Sequence, residues 1–187
     1  LDKIAMAKFK SPPPLGKKLE LSSKYLHNCV NILTEFNLLL GFTLWRKHIE
    51  TSDEEAFSYM SKICYNLILK NRPRLARRLL EFLLHKQKRG CSDATHKIMI
   101  INYANTNKIL KDIGACKKAL SSVDWSASND NYKLCIASLE DDVEKVLTLL
   151  PNVFASKSIS AHEFREWPVL QWIRPDKRVA QLFEELY

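Results

Sequence analysis

The stretch "TNKILKDIGACKKAL", residues 106–120, carries the pattern that decides the fold. A helix-like run ends in a polar turn at Lys111-Asp112, and a second run begins with charged residues around a small one. The same design occurs in "YNLILKNRPRLARRLL" (65–80) and "YKLCIASLEDDVEKVL" (132–147). Each reads as a first helix, a tight turn and a second helix packed back on it. Ala76, Ala119 and Val146 align as the positions where the second helix presses on the first, because a large side chain would not fit there. Their separations, 43 and 27 residues, make the repeat irregular.

Working outward, apolar residues recur at steps of three and four, and no run alternates as a strand would, so the chain is expected to be all-α. Three parts are expected: an N-terminal helical segment (1–50) with a Pro-rich break at 11–14, helix pairs (51–151), and a C-terminal capping segment (152–187). In the first part Leu21, Tyr25, Cys29, Leu33, Phe36, Leu40 and Leu44 share one helical face. Thr51 and Glu54 have the spacing of a capping box, as do Ser160 and Glu163. Pro73 suits the first turn of a helix that Gly90 ends. The next helix is expected to start at Ser92 or Asp93 and run to Ile113, with Gly114 as its stop, and a short helix follows over 115–121. Pro151 is expected to end the last second helix, with a loop over 152–159. In "EWPVLQWIRPD" (166–176), Trp167 is expected in the core with Phe164, Leu170 and Ile173. Trp172 turns partly off that face and is the candidate hydrophobic anchor for a partner.

Residues 54–151, above all "KILKDIGACKKAL" and "DDVEKVL", resemble the tetratricopeptide repeat, a helix–turn–helix unit of about 34 residues. The Trp–Leu–Gly positions of that repeat's first helix are absent here. The resemblance implies a short α-solenoid of antiparallel helix pairs (TPR-like) with a C-terminal capping helix and a groove for other chains. Residues 123–187 are similar to the C-terminal region of large bacterial multidomain proteins, some linked to phage defence. That similarity, and a first residue that is not Met, imply a piece of a longer protein.

Composition narrows the functions. The 187 residues are 46% hydrophobic, which excludes a disordered chain, and the four glycines argue against Gly-rich phosphate loops. The longest apolar run, residues 38–45, is too short to span a membrane. Five widely spaced cysteines without a Cys-x-x-Cys pair point to a reduced, cytoplasmic protein. No four ligands have zinc-like spacing and no nucleophile motif occurs, so no metal, cofactor or catalytic residue is expected.

The net charge of +8 is concentrated between Lys70 and Arg89, where Glu81 alone opposes eight basic residues. Arg72, Arg74, Arg77, Arg78, His85, Lys88 and Arg89 are the candidates for an acidic partner or phosphates, with Arg74, Arg77, Arg78, His85 and Lys88 on one face. Arg78 and His85 fit an Arg-x6-His spacing similar to that of HEPN ribonucleases, although Leu79 stands where that family has a polar residue. Asn102, Asn105 and Lys108 are candidates to hold a peptide backbone in a groove. The expected function is a non-catalytic protein-interaction or scaffolding module that docks a protein or peptide partner or regulates an attached effector. The alternatives are a nucleic-acid-binding helical domain using residues 70–89 and a ribonuclease using Arg78 and His85.

Overall fold

The computed structural model describes residues 53–86 and 91–186. The expected N-terminal segment, Thr51, Lys88, Arg89 and Gly90 lie outside the described residues. Among the described residues there is no strand. Eight α-helices and one 3-10 segment follow in order. They are α1 (Asp53–Leu69), α2 (Pro73–Lys86), α3 (Asp93–Ile109), α4 (Ile113–Leu120), α5 (Asp130–Leu139), α6 (Val143–Ala155), α7 (Ala161–Glu166), the 3-10 segment Pro168–Trp172 and α8 (Lys177–Leu186).

Helices pack mainly on their sequence neighbours: α1 on α2, α3 on α4, α5 on α6. The first helices of the pairs also touch in series, α1 on α3 and α3 on α5. Three-residue turns join the pairs, and all three are built alike. Asn71, Lys111 and Asp141 take left-handed φ values of 54°, 64° and 58°. The next residue's N–H then donates five residues back: Arg72 to Leu67, Asp112 to Asn107, Asp142 to Ala137. This is the Schellman closure of a helix C-terminus, which satisfies carbonyls that would otherwise lack donors. It recurs after α6 at Lys157. Asp112 and Asp142 then cap α4 and α6 with their side chains.

These turns correct several boundaries. Helix α3 stops at Ile109, and Lys111 rather than Gly114 makes the turn; Gly114 lies inside α4. Aligned on the left-handed residues, the repeats are 40 and 30 residues apart. The tight position five residues later holds Ala76, Cys116 and Val146, each almost fully buried. Ala119 is one helical turn beyond that position. Pro151 sits within α6, which continues to Ala155. The last turn is held because Val153 is fully buried and Phe154 packs near Phe164 and Phe183, with ring centroids at 6.0 and 5.6 Å. Glu54 finds its described partners on another helix. It accepts hydrogen bonds from the Ser92 and Thr95 hydroxyls (2.9 and 2.7 Å), tying the start of α1 to the start of α3.

Ser92 is the N-cap of α3 and Pro73 opens α2, as the sequence indicates. The Ser160–Glu163 capping box is complete. Buried side chains form two clusters. One joins α1, α2 and Met99 of α3. The other runs from Ile100 through α5 and α6 to Val179 and Phe183 of α8. Each large aliphatic side chain fully removed from water stabilises the fold by about 1.5–3 kcal/mol.

Candidate functional site

The first helices α1, α3 and α5 present one shared face, and a cavity of about 330 Å³ opens on it. The repeat register places its walls. Residues nine and six before each left-handed turn residue are Lys62 and Tyr65 on α1, Asn102 and Asn105 on α3, and Tyr132 and Cys135 on α5. All six line the cavity. Trp167, Pro168 and Val169 close it from the C-terminal side.

The walls are mostly apolar, with polar groups set among them. Ser61 is 5% exposed, and among the described residues its hydroxyl has no hydrogen-bond partner. Asn102 is 9% exposed, and among the described residues its carboxamide forms no hydrogen bond. Burial pushes the Tyr65 and Tyr132 phenols up, Tyr65 further through the carboxylates of Glu163 and Glu166, so both stay protonated and able to donate. Burial likewise pushes the Cys135 thiol up to about 12, which leaves it unreactive. Lys62 is the charged residue of the lining.

Of the expected groove residues, Asn102 and Asn105 do line the cavity. Asn105 is already engaged: its Oδ1 accepts from the Trp172 indole N–H at 2.9 Å. Lys108 is not in the groove. Its ammonium donates to the Ser138 and Leu139 carbonyls (3.3 and 2.8 Å) and Asp141 (2.7 Å), and lies 4.7 Å from the Trp172 ring centroid. The cause is electrostatic: the last carbonyls of α5 form a negative helix end that attracts a cation. Val169 adds a carbonyl that accepts from Ser138 Oγ at 2.6 Å.

Both tryptophans are half-buried and pack against the larger core cluster. Trp172, the candidate anchor for a partner, is tied within the chain to Asn105 and Lys108. Trp167, expected in the core, also lines the cavity. The reason is local. Residue 167 precedes a proline and takes φ −62°, ψ 121°, so it leaves the helical face shared by its neighbours. Phe164, Leu170 and Ile173 fill the core as expected.

The basic helix divides. Arg77 turns to Glu81 (2.9 Å) and Asp112 (3.4 Å). Arg72, Arg74, Arg78 and His85 are exposed. Arg78 and His85 stand on α2 with the Glu81 carboxylate at the helical step between them, and Leu79 is core. Among the described residues no group of three or more His, Cys, Asp and Glu could hold a metal ion, and no helix is long and apolar enough to cross a membrane.

Sequence reasoning missed Ser61, Lys62, Tyr65 and Tyr132. Counting back from the turn residues, rather than from the small residues, would have found the last three. No family model, curated protein or solved structure matches this chain.

Proposed function

We propose that this chain is a non-catalytic, tetratricopeptide-like interaction module that holds a segment of another polypeptide on the shared face of α1, α3 and α5. One observation carries the reading: three successive first helices place the same register positions around one cavity. A stacked-helix module uses such a face to bind extended chains. Within a longer protein of the large multidomain kind, the module would dock a partner or control an attached effector domain. Cys64, Cys116 and Cys135 are buried or part-buried thiols without a disulfide among the described residues, which supports a reducing, cytoplasmic setting.

Selection of a random peptide display library on the purified protein tests the reading. Peptides are expected to be enriched whose binding is lost with Asn102→Ala and kept with Arg78→Ala. Failure to enrich any peptide, or enrichment indifferent to Asn102→Ala, would sink it.

A second reading rests on the outer surface. Lys70, Arg72, Arg74 and Arg78 are exposed cations with no ion pair among the described residues. Arg77-Arg78 of α2 and Lys117-Lys118 of α4 hold the same register after their turns. Such a surface would bind nucleic acid through phosphates, with affinity falling steeply with salt. Arg78→Ala with Arg74→Ala should then reduce both affinity and salt slope. A ribonuclease based on Arg78 and His85 requires RNA cleavage that disappears in His85→Ala.

A further inference from the structure

We infer that the edge formed by the three turns is a dimer interface, at which a second copy of this chain docks across a twofold axis. The inference goes beyond the groove reading and does not depend on it. The left-handed residues Asn71, Lys111 and Asp141 put the turns in register. Just before them stand Lys70, Leu110 and Glu140, and just after them Arg72, Asp112 and Asp142. Three residues after them stand Arg74, Gly114 and Glu144. The backbone repeats while the charge reverses. The first turn is cationic, the second carries one charge of each sign in Lys111 and Asp112, and the third is anionic. Among the described residues no carboxylate reaches Lys70, Arg72 or Arg74. Lys108 reaches Asp141 and Arg178 reaches Glu144, which leaves Glu140 and Asp142 without an ion pair among the described residues.

The turns lie in order along one edge of the stack. Arg77 of α2 bonds Asp112, and Lys108 of α3 bonds Asp141, so each turn sits beside the helix pair before it. Packed helices are about 8–10 Å apart, and salt screens charges over about the same distance, so the two outer turns do not neutralise each other. Leu69 and Ile113, 46% and 47% exposed, stand on this edge, two residues before and two after their left-handed residues. A partner must therefore present acid to the first turn, an apolar group to the second and base to the third. The same edge, rotated about a twofold axis through the middle turn, does so. The third turn of each copy then meets the first turn of the other, and the two Ile113 side chains meet near the axis. Nucleic acid fits this edge less well. Its phosphates would gain Lys70, Arg72 and Arg74 but would also meet the carboxylates of Asp112, Glu140 and Asp142.

The test is the mass of the full chain in sedimentation velocity, over a range of concentrations in low and high salt. A dimer is expected in low salt and should weaken in high salt, because exposed ion pairs are screened. Arg72→Glu with Arg74→Glu should weaken it at least about tenfold, since acid then faces acid. Glu140→Lys with Glu144→Lys should do the same, since base then faces base. All four side chains are exposed, so both variants should fold, which circular dichroism checks. Mixed in equal amounts, the two variants should form a dimer with one chain of each. Ile113→Glu should also weaken the dimer of the unaltered chain. The inference is overturned if the chain stays monomeric at high micromolar concentration in low salt, if the reversals leave its dimer unchanged, or if the mixture of folded variants stays monomeric. Assembly that grows past the dimer with concentration overturns the twofold arrangement. A chain that stays monomeric but binds a ribonucleotide oligomer, and loses it with Arg72→Glu and Arg74→Glu, overturns the inference in favour of nucleic acid.

Discussion

One face of three helices meets two fates in this molecule. On the side nearer the turns of α3 and α5, the chain's own residues 168–173 cover it: Trp172 takes Asn105 and Lys108, and Val169 takes Ser138. Toward α1 the same face stays open, and Asn102, one helical turn from Asn105, lines a cavity. Equivalent residue types thus serve as internal fasteners in one place and as free donors in the other. The difference teaches that residue type on a repeat face does not assign a role; coverage does.

The sharpest way to break this comparison is to empty the covered side. Leu170 is fully buried, and Leu170→Ala should lower stability by about 3–5 kcal/mol in chemical denaturation. A loss under about 1 kcal/mol would mean that the C-terminal segment is not part of the core.

Next come the two lysines. Lys108 is 7% exposed, and Lys108→Ala leaves the α5 carbonyls and Asp141 without their cation, costing about 2–3 kcal/mol. Lys62→Ala, on the open side, should stay within about 0.5 kcal/mol. Equal effects would erase the distinction.

The two asparagines refine it. Trp172→Phe deprives Asn105 of its donor and should cost about 1–3 kcal/mol. Asn102→Ala should leave the melting temperature nearly unchanged while impairing peptide binding. A large loss of stability with Asn102→Ala would show that this amide fastens the fold.

Acid gives the smallest effect. Hydrogen bonds from Thr95 and Ser92 hold the Glu54 carboxyl below its usual range, and those from Ser160 do the same for Glu163. A carboxyl whose pKa is depressed by folding adds stability above its unfolded value of about 4.3. That stability is lost as pH falls through the lower folded value. Glu54→Gln at the start of α1 and Glu163→Gln in α7 should each flatten the pH dependence of stability below that range. Unchanged acid profiles would remove both carboxylates from the account.

The sequence disclosed what local spacing controls. The helical class, the Pro73 start, the Ser92 cap and the Ser160–Glu163 box follow from groups within four residues of each other. It misplaced Gly114 and Pro151, because a Schellman turn formed at Lys111 and because Phe154 gained an aromatic partner in α7 and another in α8. That Asn102 and Asn105 share one face was legible, since first-helix faces follow from periodicity. The capture of Lys108 was not, because the helix end that holds it lies some thirty residues away.

By itself, then, the sequence determined an all-α chain of helix pairs, the caps that open its helices and the polar turns that join them. These are short-range properties, set by backbone preferences and the 3.6-residue period. Only the tertiary structure decided which part of the repeated face is closed. A tryptophan and an asparagine 67 residues apart had to meet for Asn105 to become a fastener and Asn102 to remain a free donor. Both amides suit solvent, ligand or the chain's own indole equally well, so the choice rests on where the C-terminal segment packs.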